Sequence, residues 1–212
     1  MSSKPIIGIL GAGKLGTALG RLAISAGYPV YIAGSSTTDK IALTVEVLVP
    51  GAIATTNKDA MEKANVIILA LPLGKRHTIP KVNLEDKIVI DAMNYWWEVD
   101  GETRIPSDPN LSSTELVSKE LHFPKIVKAF NHMGYHDLEF ETHADTPKII
   151  AYSGDDASSK SVVHDIIADF GFEPLDLGNL KNGKVLEPGS PLFGANLPKD
   201  EFINILNDIK KD

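Results

Sequence analysis

Apolar residues fall along this chain in two alternating rhythms. Short, nearly unbroken apolar runs stand at PIIGIL (5–10), PVYIAG (29–34), AIAT (52–55), VIILALP (66–72), KIVIDAMN (87–94), KIVKAFN (125–131), KIIAYSG (148–154) and EPLDLG (173–178). Their length and bounding turn residues predict strands buried on both faces. Between them lie stretches with helical spacing. Leu15, Ala18, Leu19, Leu22, Ala23 and Ala26 recur through 14–26, and Gly27 closes the pattern. KIALTVEVLV (40–49) fits either period, and its place between two strands predicts a helix. Asn57 is expected to cap a short helix, KDAMEKA, and Ser113 to open STELVSKEL. DDASSKSVVHDIIADFG predicts a helix ending at Gly171, and Lys199 to Lys211 an amphipathic one. NYWWEVDGETRIPSDPN (94–110) and 179–197 read as loops.

Strands that alternate with helices predict an α/β, Rossmann-type, doubly wound and mainly parallel sheet with right-handed crossovers. No linker or internal repeat divides the chain. Residues 1–178 are expected to form the Rossmann-type domain, and 179–212 a loop-plus-helix extension of the same domain. At 212 residues, 43% hydrophobic and 23% charged, the chain can bury a full core. The net charge of −7 argues against a nucleic-acid partner. No apolar run reaches the roughly 18 residues of a membrane span, and the N-terminus lacks the features of a signal peptide. With no cysteine there is neither a disulfide framework nor thiol chemistry. A cytoplasmic, reducing setting is the expectation.

The run after the first strand carries Gly11, Gly13, Gly16 and Gly20, although each glycine costs a helix interior about 1 kcal/mol relative to alanine. GAGKLG (11–16) matches G-x-G-x-x-G in the strand–turn–helix context that this motif requires. Gly11 suits the sharp turn, Gly13 leaves room for a pyrophosphate, and Gly16 lets the helix pack on the strand. Gly11, Ala12, Gly13, Lys14, Leu15 and Gly16 are therefore expected to hold a dinucleotide at a helix N-terminus. The tip of the second strand has no acid of the kind that binds a ribose 2′-hydroxyl in NAD sites. It reads Ala33-Gly34-Ser35-Ser36-Thr37-Thr38-Asp39-Lys40. Hydroxyls from Ser35, Ser36 and Thr37, with the Lys40 cation, point to NADP(H). Asp39 turned inward would reverse that preference. Ligands of such sheets lie beyond the strands' carboxyl ends. Leu71, Pro72, Leu73, Ala92, Met93, Asn94 and Asn131 are therefore further candidate cofactor contacts.

Acid–base machinery is not legible. There is no nucleophile elbow and no H-E-x-x-H, and the six histidines are scattered. No metal site is expected. Residues 179–212 are all that follow the last predicted strand in this sequence, so the large helical domain that many hydroxy-acid and imine dehydrogenases add is not expected.

GILGAGKLGTALGRLAISAGYPVYIAGS, IILALPL, KIVIDAMN, KIVKAFN and GFEPLDLGNLKNGKVLEPGSPLF together resemble the NADPH-dependent coenzyme F420 oxidoreductase family. That family is itself similar to the cytosolic nucleotide domain of the six-transmembrane ferric reductases. The resemblance covers nearly the whole chain and is strongest in the glycine loop, in KAFN and in GFEPLDLG with Leu186-Glu187. It implies a single Rossmann domain, usually homodimeric, with residues 179–212 a possible pairing region. The implied reaction moves a hydride between NADP(H) and a deazaflavin or flavin-type ring as small-molecule redox acceptor. Such a transfer needs stacked rings and no dedicated acid or base. Family members commonly read Gly-Ser-Arg at the second strand tip. Here Gly34-Ser35-Ser36 lacks the arginine, and Lys40 lies where a family lysine often does. Trp96, His132 and Met133 are possible acceptor contacts, with no certain catalytic residue. Two other readings stay open. One is a non-catalytic module that binds or senses NADP(H). The other is a reductase of a small carbonyl or imine, with His132 or Tyr135 as proton donor.

Overall fold

The computed structural model describes residues 4–35, 37–101 and 111–211, without the side chain of Trp97. Eight strands form one sheet: β1 (Ile7–Leu10), β2 (Val30–Ala33), β3 (Ile53–Thr55), β4 (Val66–Leu69), β5 (Ile88–Asp91), β6 (Ile126–Lys128), β7 (Ile149–Gly154) and β8 (Glu173–Asp176). Their order is β3-β2-β1-β4-β5-β6-β7-β8. The first six pair in parallel, with Ile7 beside both Val30 and Val66. β7 turns back antiparallel to β6, and β8 runs parallel to β7. The sheet is thus the doubly wound Rossmann type, with a reversed pair at one edge.

Strand alternation sorts the apolar side chains onto two faces. Ile7, Ile9, Ile68 and Ile90 pack on one face with Leu19 and Leu22 of helix α1 (Lys14–Ser25). Leu10, Ile67, Leu69 and Val89 pack on the other with Met61 of α3 (Asn57–Lys63). Both faces are covered, so the strands read as unbroken apolar runs. Helix α2 (Thr38–Leu48) sends Ile41 and Val45 inward. Thr56 caps α3 in place of the expected Asn57, accepting the Asp59 N–H. Ser113 opens α5 (Ser113–Leu121) as expected, and Ser112 caps it through a full capping box with Glu115.

Two short helices fall where no periodicity predicts them. The four-residue α4 (Trp97–Asp100) lies inside the expected loop, and α6 (Tyr135–Phe140) follows β6. A 3₁₀ turn spans Leu73–Thr78. After α7 (Ala157–Asp169) and β8, a second 3₁₀ turn, Leu180–Leu186, leads to α8 (Lys199–Ile209). Phe202 and Leu206 of α8 close on Ile149 and Ala151 of β7. The extension is therefore part of the domain's own core.

Candidate functional site

The carboxyl ends of the central strands are laced by backbone hydrogen bonds that continue past the strands. Gly11 N–H donates to the Ala33 carbonyl (2.8 Å), Ala70 to Leu10 (2.9 Å), and Ala92 to Leu69 (3.1 Å). The glycine turn crosses this rim, and its three motif glycines meet different surroundings. Gly11 has φ +128°, and a Cβ there would lie 2.1 Å from the Ala70 carbonyl oxygen. A Cβ on Gly16 would lie 1.8 Å from that of Gly11. The fold itself demands both glycines. A Cβ on Gly13 would meet no protein atom within 4 Å. Gly13 is the N-cap of α1, and no side chain caps that helix. With no side-chain cap, the N–H groups of its first turn are left to another partner, and the room beside Gly13 fits an anionic pyrophosphate.

Two cavities flank the turn. The first, of about 280 Å³, is lined by Gly11, Ala12, Gly13, Ser35, Leu71 and Pro72 from the expected set. Gly34, Ile41, Asn57, Lys75 and Thr78, which sequence reasoning missed as contacts, line it too. The second, of about 400 Å³, is lined by Leu15, Asn94, Trp96, Asn131, His132 and Met133, together with Tyr135, Phe193 and Gly194. Trp96, 45% exposed, meets Phe193 edge-on with centroids 5.5 Å apart. Lys14 Nζ lies 5.3 Å from the Tyr135 ring centroid, joining the start of α1 to this wall. No Asp, Glu, Lys or Arg lines the second cavity among the described residues.

Several expected contacts are placed elsewhere. Leu73, Ala92 and Met93 are buried in the two cores and line neither cavity. Their apolar side chains complete the packing below the strand ends. Thr37 is the N-cap of α2 and Lys40 an exposed residue of its first turn; neither borders the first cavity. Ser36 lies outside the described residues. His132 borders the second cavity, but its imidazole is committed to the core. Nε2 accepts the Ala151 N–H (3.1 Å), and the ring sits edge-on to Phe202 at 5.5 Å. Burial pulls its pKa down to about 4, against a smaller opposite pull from the Ala195 backbone. The depressed pKa favours the neutral ring, and with Nε2 accepting the Ala151 N–H its one ring proton lies on Nδ1.

Beneath the second cavity lies a buried polar network. Asp91 and Lys128 are both fully buried, with Lys128 Nζ 3.5 Å from Asp91 Oδ2. The same carboxylate accepts the Thr114 hydroxyl (2.6 Å) and the Met93 N–H (2.9 Å). Lys128 Nζ donates to the Met93 carbonyl (2.6 Å) and lies 3.4 Å from Ser113 Oγ. Ser113 in turn donates its N–H and hydroxyl to Glu187 Oε1, at 2.7 Å each. Asn94 Nδ2 donates to the Asn131 carbonyl (2.8 Å), and Asn131 Nδ2 to Asn94 Oδ1 (3.0 Å) and to the Leu186 carbonyl (2.7 Å). The chain enters Asn131 through Phe130 at φ +62°, a left-handed conformation costing about 1–2 kcal/mol at a non-glycine residue. A charged residue inside each of two apolar runs, IVIDAM and IVKAFN, was the readable signal of this network.

The model of the family described as NADP oxidoreductase, coenzyme F420-dependent, matches residues 6–95. An F420-dependent NADP reductase of Methanocaldococcus jannaschii is 31% identical over 157 residues, covering 68% of each chain. The chain belongs to this family of F420-dependent NADP oxidoreductases. It is an oxidoreductase family whose cofactor is NADP(H). A solved hypothetical protein of Sinorhizobium meliloti is 31% identical, with TM-score 0.80, covering 93% of this chain and 97% of that one. A candidate F420-dependent NADP reductase of Arthrobacter sp. FB24 shares the fold at 19% identity and TM-score 0.70, covering 85% and 88%. No helix among the described residues is long and apolar enough to cross a membrane.

Proposed function

We propose that this family member transfers a hydride between NADP(H) and a deazaflavin-type ring of the coenzyme F420 kind, with flavins as weaker acceptors. The observation that carries the reading is the second cavity, uncharged, walled by aromatic rings and adjoining the uncapped glycine turn. The open face of Gly13 fits the dinucleotide's pyrophosphate, and the first cavity its adenosine half. A dinucleotide held in this way would supply a hydride, two electrons with one proton, to an acceptor ring in the second cavity. Trp96, Tyr135 and Phe193 give that ring apolar walls and exclude water. Asn94 and Asn131, locked to each other, fix the cavity rim against which the rings align. No side chain has to exchange a proton, which agrees with a neutral, core-bound His132.

The test is an anaerobic absorbance assay offering NADPH, then NADH, against coenzyme F420, FMN and FAD. The expected result is oxidation of NADPH by coenzyme F420, slower with FMN or FAD, and slower still from NADH. Tight NADPH binding without oxidation by any ring acceptor would replace this reading with a non-catalytic NADP(H)-binding module. A cytoplasmic homodimer completes the proposal. Sedimentation velocity is expected to give about twice the 22.9 kDa of one chain.

A further inference from the structure

The strand tip after β2 lacks an arginine; of the residues expected to act in its place, Ser35 lines the first cavity, Thr37 and Lys40 do not border it, and Ser36 lies outside the described residues. The 3₁₀ turn after β4 brings Lys75 and Thr78 into the same cavity as Gly34 and Ser35. Lys75 is the one charged residue among the described residues lining this cavity, and no carboxylate lines it.

The turn holds the Lys75 backbone in place. Lys75 N–H donates to the Pro72 carbonyl (2.8 Å), and the Thr78 hydroxyl donates to the Lys75 carbonyl (2.8 Å). Gly74 N–H is anchored on Asp100 Oδ1 at 2.7 Å. The neighbouring cation, Arg76, is engaged with both Glu120 oxygens, at 2.5 and 2.9 Å. Lys75 is exposed, and its ammonium makes no ion pair among the described residues. The site therefore presents one unspent positive charge on a fixed backbone, with the Ser35 and Thr78 hydroxyls lining the same cavity.

We infer that Lys75 is the residue that selects the phosphorylated dinucleotide, by taking the phosphate ester on the adenosine ribose. The inference rests on the NADP(H) reading above and moves the selecting charge from the β2 tip to the turn after β4. A phosphate monoester carries a charge near −1.5 to −2 at pH 7, where the unphosphorylated ribose offers only a neutral hydroxyl. A single lysine can thus discriminate between the two cofactors with no change in the rest of the cavity.

Calorimetric titration of NADPH and NADH into wild-type protein, Lys75→Ala, Lys75→Arg and Lys40→Ala tests this. The expected result is about a tenfold or greater loss of NADPH affinity in Lys75→Ala, with NADH affinity held within about twofold. Lys75→Arg is expected to restore most of the preference. The salt dependence of NADPH binding should flatten in Lys75→Ala. Equal losses for both cofactors would place Lys75 on the adenine or pyrophosphate and overturn the inference. Loss in Lys40→Ala but not in Lys75→Ala would return selection to α2 and overturn it too. If the wild-type protein binds neither nucleotide, the dinucleotide reading itself falls, a result distinct from any change confined to the Lys75 variants.

Discussion

At the residue scale, the motif glycines separate folding from binding. An alanine methyl at Gly11 or Gly16 collides with backbone carbonyl oxygens, which cannot swing aside as a flexible side chain can. Gly11→Ala and Gly16→Ala are expected to lower the melting temperature clearly in a thermal scan. Gly13→Ala meets open space, so it should melt within a degree or two of wild type while losing NADPH affinity. A Gly13→Ala protein that bound NADPH normally would remove the pyrophosphate from this turn. His132 gives a second residue-scale prediction. Its folded pKa, about 4, lies below the ordinary value of 6.5, because burial disfavours the imidazolium. The unfolded chain then takes up the proton first as pH falls. The stability His132 helps to hold is therefore complete above pH 6.5 and is lost progressively toward pH 4. The full loss is roughly 3 kcal/mol. Urea titrations across that window should show the decline, and a buried neutral substitute, His132→Asn, should flatten it.

At the scale of elements, a buried ion pair joins β5 to β6, each partner three residues before an asparagine that lines the second cavity. Lys128→Met leaves Asp91 buried without its cation and is expected to cost about 3–5 kcal/mol. The double variant Asp91→Ala/Lys128→Met should cost less than the sum of the two single changes, in a cycle read by denaturant unfolding. The capping box is milder. Ser112→Ala should cost about 1 kcal/mol. The glycine turn, β4 and β5 were legible in the sequence because each joins a buried apolar run to an unmistakable boundary. Helix α6 was not, since its six residues bury only Leu138 and complete less than two turns. Periodicity needs more length than that to emerge. The cap of α3 slipped by one residue because Thr56-Asn57 sets two competent capping side chains in succession. The reversal of β7 left no mark either, because an apolar run reads the same in both directions.

At the scale of the whole molecule, the fold class and the glycine turn were readable, while the walls of the cavities were not. Lys75 sits in a turn with no period, and Phe193 reaches its cavity from the far end of the chain. Such proximity is created only by the crossovers. Glu187 fastens the extension to Ser113, and the neighbouring Leu186 carbonyl receives Asn131. The two cavities consequently have different owners. Every residue lining the first precedes position 80, whereas the second borrows Phe193 and Gly194 from the tail. Disturbing the tail should then act like cutting the ligand in half. In Glu187→Gln, a bisphosphorylated adenosine fragment ought to bind as it does in wild type. The nicotinamide end of the intact dinucleotide would lose its footing, and turnover would fall while adenosine-side affinity stayed constant. On that reading, the two ends of one long ligand would be held by parts of the chain that can be perturbed separately.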